Sequence, residues 1–201
     1  MLLRGATHTR PSTTVMVLVS VLSGAVSSAY LAAQVADPPT AHVLYEAGGF
    51  EHWSFPLTPD WTRLHGMLLN NGTHRGSVSA PIFAPYRPEL ANYAVEADIR
   101  VIEDGDSFGV VVRVDDDGGG YAAGVGIKGG QPFGGMSSGF EPGKDWHTYR
   151  IEVRGNVFTL YIDGTFKGSL TNNRLLSAGR VGLWSNRYQL EVRSFKVIAL
   201  H

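Results

Sequence analysis

The stretch WHTYRIEVRGNVFTLYIDG, Trp146–Gly164, decides the fold. From His147 to Arg154 apolar and polar residues alternate strictly, and Gly155-Asn156 then turns the chain. A second β-rich run, Val157–Ile162, answers it and is itself turned by Asp163-Gly164. Period-two patterning between Gly-Asn and Asp-Gly pairs predicts consecutive β-hairpins. An antiparallel sheet with one buried and one wetted face follows.

Working outward, the same signature recurs. Tyr93, Val95, Ala97, Ile99 and Val101 share one face of a strand whose other face holds Glu96, Asp98 and Arg100. A slip of one residue would bury the charged set, so the register is well specified. Over Phe108–Val114 the pattern places Phe108, Val110, Val112 and Val114 opposite Gly109, Val111 and Arg113, leaving Arg113 as the lone charge on an apolar strand. Further strands are expected at Val43–Glu46, Glu51–Phe55, Thr62–Leu64, Met67–Asn70, Gly76–Phe83, Gly120–Lys128, Phe166–Leu170, Val181–Trp184 and Tyr188–Leu200. Short strands at this spacing predict an all-β, two-sheet antiparallel sandwich. The glycines from Gly129 to Gly135 read as a loop over one edge.

The N-terminus is different material. Arg4 and Arg10 precede a run without charge, Thr13–Ala33, and the first acidic residue is Asp37. A basic segment before an apolar one is the export pattern. Residues 1–33 are therefore expected to be a hydrophobic helix serving as a signal peptide or an N-terminal membrane anchor, with 34–42 as linker and 43–201 as the sandwich. Either way the domain is expected to be extracytoplasmic, secreted or membrane-anchored. The chain has no cysteine, so an exported fold must stand on its core alone. Its 17 basic and 18 acidic residues are interspersed, and the missing basic stripe argues against a nucleic-acid partner.

A family pattern runs through these elements. Trp61 and Gly66–Leu68 are followed by Tyr93–Ile99, Asp106–Arg113 and Gly120-Tyr121. Trp146–Ile151, Gly155-Asn156, Tyr161–Gly164, Gly179–Leu183 and Phe195–Val197 complete the series. It resembles the concanavalin A-like lectin/glucanase superfamily, and within it the 3-keto-disaccharide hydrolase-like domains, formerly a domain of unknown function, grouped loosely with family 16 glycosidases. The resemblance implies a jelly roll with a concave face that often holds sugar. It does not by itself imply activity, because one fold hosts many functions.

Glu96-Ala-Asp98 invites a comparison with glycosidase chemistry. Family 16 enzymes place a second Glu two or three residues beyond Glu-x-Asp on the same strand, where this chain has Arg100 and Val101. Same-face neighbours on a strand lie about 6.6–6.8 Å apart, whereas retaining hydrolysis needs carboxyls roughly 5–5.5 Å apart. No catalytic residue is assigned. Asp104-Gly-Asp106 and Asp115-Asp-Asp117 are oxygen-rich turns, plain turn formers first and a possible Ca²⁺ site second. No cofactor is otherwise implied, since the histidines show no zinc spacing.

Sugar recognition wants aromatic faces together with planar polar groups. The expected ligand-binding set is Arg113, Tyr121, Glu96, Asp98, Trp146, Trp184 and Tyr188, with His147, Arg187 and Phe133 as lesser members. Arg113 leads it, standing in an open trough with Glu96 or Asp98 as acceptors. The expectation is thus a carbohydrate-binding domain without an intact family 16 motif. The alternatives are a 3-keto-glycoside hydrolase and a laminin G-like protein-interaction module.

Overall fold

A computed structural model describes residues 41–54, 60–72, 81–127 and 133–201, all within the unit Pro39–His201. The segment expected as leader or anchor, 1–33 with its helix, and nearly all of the linker lie outside the described residues. So do most of the strand expected at Gly76–Phe83 and the loop from 128 to 132.

In chain order the strands are β1 (Val43–Glu46), β2 (Trp61–Leu64), β3 (Met67–Asn71), β4 (Ile82–Phe83), β5 (Tyr93–Glu103), β6 (Ser107–Val114) and β7 (Tyr121–Val125). They continue with β8 (Gly134–Ser138), β9 (Trp146–Arg154), β10 (Val157–Ile162), β11 (Thr165–Thr171), β12 (Arg180–Asn186) and β13 (Gln189–Ala199). The larger sheet has the order β11-β10-β9-β5-β13-β3-β2, with β1 also paired to β13. The smaller runs β4-β12-β6-β7-β8. The described fold is an all-β sandwich without a helix.

The hairpin stretch behaves as its turns dictate. Ile162 pairs with Thr165 across Asp163-Gly164, and both turn residues take positive φ, 51° and 72°. That is the twist a two-residue hairpin loop requires. Arg154 pairs with Val157, and Gly155 leads that turn at φ 54°.

Both inner faces are apolar. Tyr93, Val95, Ala97, Ile99 and Val101 of β5 meet Phe108, Val110 and Val112 of β6 in one core with Tyr149, Ile151, Phe158, Leu160 and Phe195. Tyr149 and Phe108 pack edge to face at 5.2 Å. A smaller cluster, Val111, Val114, Ala122, Ile127, Phe133 and Trp184, lies outside this core.

Three expectations are corrected. Val114 does not continue the face of Phe108, Val110 and Val112, because β6 bulges before it. Arg180 pairs with Val114 and Gly182 with Val111, so Val112 and Arg113 together oppose Val181. Arg113 takes φ 51°, and a bulge of this kind re-aims the side chains beyond it. Gly179 permits it, since a Cβ there would lie 2.6 Å from the Arg113 carbonyl carbon. Second, Gly134–Ser138 is a strand running parallel to β7, so Gly134 and Gly135, the end of the expected loop, are strand instead. Glycines at its start suppress the strand signal, while backbone pairing with Tyr121–Val125 supplies the structure. Third, Glu51 and His52 form a turn and only Ser54 makes an isolated bridge, to Phe83. Trp53 is nonetheless core, set edge-on to Phe195 at 4.8 Å.

Two buried phenols give the fold a pH signature. Burial pushes Tyr93 up to about 12, against the opposing pull of the Arg113 amide and charge. Burial also raises Tyr149, whose hydroxyl has no hydrogen-bond partner among the described residues. An unfolded tyrosine ionises near about pH 10. The folded chain keeps its protons above that point while the unfolded chain sheds them, so this contribution is complete below about pH 10 and declines as pH rises toward 12. Denaturant melts across that window should show falling stability. Tyr149→Phe should flatten the decline and, by removing an orphan hydroxyl, leave neutral-pH stability unchanged or raised by about 1 kcal/mol.

Candidate functional site

The residues expected to share one trough occupy four separate places. Glu96 and Asp98 stand on the outer face of the larger sheet, which β5 shares with β9 and β13. Glu96 pairs with Arg150 at 3.2 Å, and Asp98 accepts from Thr148 at 2.6 Å and from Arg193 at 3.2 Å. Trp146 lies on the same face beneath two guanidinium groups, Arg100 at 4.9 Å and Arg193 at 4.6 Å from its ring centre. Arg100 is in turn bonded to Glu191. This face is a network of satisfied charges, and its indole already carries cations.

Tyr188 is 9% exposed and packs on Phe108 at 4.8 Å, inside the sandwich. Trp184 is on the outer side of the smaller sheet, set edge-on to Phe133 at 6.3 Å within the secondary cluster. His147 bridges Asp163 at 2.6 Å and the Pro142 carbonyl at 2.8 Å. Arg187 pairs with Asp106 at the other end of β6 from Asp115.

Arg113 is 1% exposed and does not stand in an open trough. Nor does it reach Glu96 or Asp98, which point away from the core. The bulge turns its guanidinium into the end of the sandwich, where it donates to the Leu175 carbonyl at 3.0 Å and the Ala91 carbonyl at 2.9 Å. It also lies 5.2 Å from the Phe158 ring centre, and its amide donates to the Tyr93 hydroxyl at 3.3 Å. Burial lowers its pKa from the ordinary guanidinium value, with Tyr93 and Tyr121 opposing. Tyr121 accepts from the Leu175 amide at 3.2 Å. Arg113 and Tyr121 therefore meet across one residue, gripping the carbonyl and the amide of Leu175.

That grip shapes a cleft at this end of the sandwich. Its larger lobe, about 440 Å³, is walled by the Asp115–Tyr121 turn and Gly134 on one side and by Asn172, Arg174 and Leu175 on the other. The turn is closed by the Asp115 carboxylate, which accepts from the Gly119 amide at 2.7 Å. Arg180 fastens it by donating to the Asp115 carbonyl at 2.7 Å. Opposite, Asn172 accepts from the Arg174 amide at 2.8 Å, a short side-chain turn that sends Arg174 outward. A second lobe of about 240 Å³ adjoins it and includes Arg87, Arg113 and Asp116, with Asp115, Arg174 and Leu175 common to both.

Among the described residues, neither the Asp117 carboxylate nor the Arg174 guanidinium has a hydrogen-bond or ion-pair partner. Asn172 and Arg174 were not singled out from the sequence. The signal was the polar tip Asn172-Asn173-Arg174 facing the triple-aspartate, triple-glycine turn. Only the folded chain shows that the two tips share one end. Among the described residues no group of three His, Asp or Glu side chains is placed to hold a metal ion.

No family model matches the sequence, and no curated protein does. The likeness is to solved structures. The carbohydrate-binding module CBM66 from Bacillus subtilis superposes with a TM-score of 0.51 at 15% identity, covering 73% of this chain and 95% of the module. A κ-carrageenase from Pseudoalteromonas carrageenovora, complexed with a κ-carrageenan oligotetrasaccharide, gives 0.51 at 14% identity over 84% of this chain and 99% of that one. A β-1,3-1,4-glucanase (lichenase) from a mouse hindgut metagenome gives 0.52 at 8% identity over 78% and 99%. The chain has the concanavalin A-like jelly-roll fold.

The Leu175 grip is directly testable. Arg113→Leu removes two part-buried hydrogen bonds from a charged donor to the Leu175 and Ala91 carbonyls, each worth about 1.5–3 kcal/mol. Hydrogen exchange should show the Leu175 amide losing protection in Arg113→Leu and in Tyr121→Phe, while the Leu160 amide keeps its rank among the slowest.

Proposed function

We propose that this is a carbohydrate-binding β-sandwich domain and that the sugar sits in the end cleft. The observation that carries the reading is the pairing of uncommitted polar groups, Asp117 and Arg174, across a cleft of about 440 Å³. A carboxylate accepts from two neighbouring hydroxyls and a guanidinium donates to two, which suits the vicinal diols of a pyranose. Asn172 adds an amide beside them. Glycines 118 to 120 and Gly134 keep the opposite wall low, so a sugar ring can lie against backbone. A volume of this size is within the range of small-ligand sites. The concanavalin A-like fold, shared with a carbohydrate-binding module and two polysaccharide hydrolases, supports the same reading.

The outer face of the larger sheet is less suited. Glu96, Asp98, Arg150 and Arg193 already satisfy one another there, and a ligand would have to break those pairs before gaining its own. The leader-like sequence before the domain supports an extracytoplasmic setting, where polysaccharide is met.

Glycan-array screening followed by calorimetric titration tests the reading. Asp117→Ala and Arg174→Ala, both at exposed positions, should each weaken binding of the best ligand by about tenfold or more, the cost of a charge-assisted hydrogen bond. Their melting temperatures should stay at the wild-type value, and Trp146→Ala should bind as wild type. Absence of binding to every saccharide on the array, or loss through Trp146→Ala alone, would overturn it.

A further inference from the structure

We infer that the saccharide taken by this cleft carries an acidic group, a carboxylate or a sulfate, and that the group enters the smaller lobe beside Arg87, Arg113 and Arg174. This rests on the carbohydrate reading and adds the charge class of the ligand.

Arg113 is a cation without a counter-ion among the described residues. Arg113 is sealed at 1% exposure, its two terminal nitrogens are given to neutral carbonyls, and its Nε has no acceptor among the described residues. Buried charges are normally paired, because an isolated one loses its hydration without replacement. Here no carboxylate of the described residues bonds to it. Glu96 and Asp98 are spent on the far side of the larger sheet.

The rest of the lobe does not cancel this charge. The residues that line it include three arginines, Arg87, Arg113 and Arg174, against two aspartates, Asp115 and Asp116. Asp116 is held by Arg87 at 3.4 Å, and Asp115 closes its own turn onto Gly119. Within this lobe one positive charge is left over, although the whole cleft balances at three arginines and three aspartates, and its source is shielded from water, where attraction is stronger than at an open surface. The larger lobe has the opposite balance, Asp115 and Asp117 against Arg174, which suits uncharged hydroxyls. Arg174 stands in both lobes. The two compartments thus sort one ligand into a neutral ring and an anionic substituent. The anion need not touch Arg113: direct bonds fall to Arg174 and Arg87, and the sealed guanidinium supplies field.

Calorimetric titration of the whole chain with three oligosaccharides of equal length tests this: a neutral glucan, an oligogalacturonate and a sulfated galactan. At least one acidic probe should bind about tenfold tighter than the neutral one, and the preference should shrink when salt is raised past about 0.3 M. Arg87→Gln should reduce that preference and Asp116→Asn should enlarge it. The exposed Lys144→Ala, whose partner Asp104 sits at the far end of β6, should behave as wild type. The carboxylate and sulfate arms identify which group is taken. Equal affinity for neutral and acidic probes, or indifference to both lobe variants, would overturn the inference and leave the carbohydrate reading standing. Failure of all three probes and of the glycan array would remove both.

Discussion

The buried guanidinium of Arg113 is the constraint around which this end of the molecule is arranged. It ties three segments far apart in sequence: the approach to β5 at Ala91, the bulge in β6, and the β11–β12 connection at Leu175. A lysine would do this less well, because its compact ammonium lacks the wide planar fork that spans two carbonyls from separate segments while lying over the Phe158 ring. The bulge is needed to turn the side chain inward, and Gly179 is needed for the bulge to fit. Removing the side chain would therefore disturb the rim of the cleft as well as the core beneath it.

Placing ligand chemistry on that rim follows from how the two layers are built. The inner faces are apolar and closed, and the outer face of the larger sheet is a lattice of paired charges. Loops at the end of a rigid sandwich are free of both obligations, so they can hold polar groups that the fold does not use. Asp117 and Arg174 are such groups. Their positions are set indirectly, by the Asp115 turn on one side and by the Leu175 grip on the other.

How much of this could be read from residues alone depends on the range of the interaction. Hairpins declared themselves through local chemistry: Asp163-Gly164 demands a left-handed pair, and alternation from His147 to Arg154 names the buried face. The inward set Tyr93 to Val101 was legible for the same reason. Arg113 was conspicuous as an isolated charge, yet its direction depends on a bulge created by β12, a strand more than sixty positions later. Strand β8 was hidden because its glycines carry no side-chain pattern and its partner β7 is parallel. The candidate site suffered most. Trp146 and Trp184 look alike in sequence as large exposed-strand aromatics, but one is capped by two arginines and the other is sealed against Phe133. Asn172 and Arg174 look like loop residues and are, and their meaning comes from what stands opposite.

Strand β13 pairs with β1, β3 and β5 at once, so the middle of the larger sheet is sewn together by Gln189–Ala199. During synthesis those three partners emerge first and must wait, edges unfilled, until this last strand arrives. Such non-local pairing makes folding slow and leaves transient edges open to aggregation.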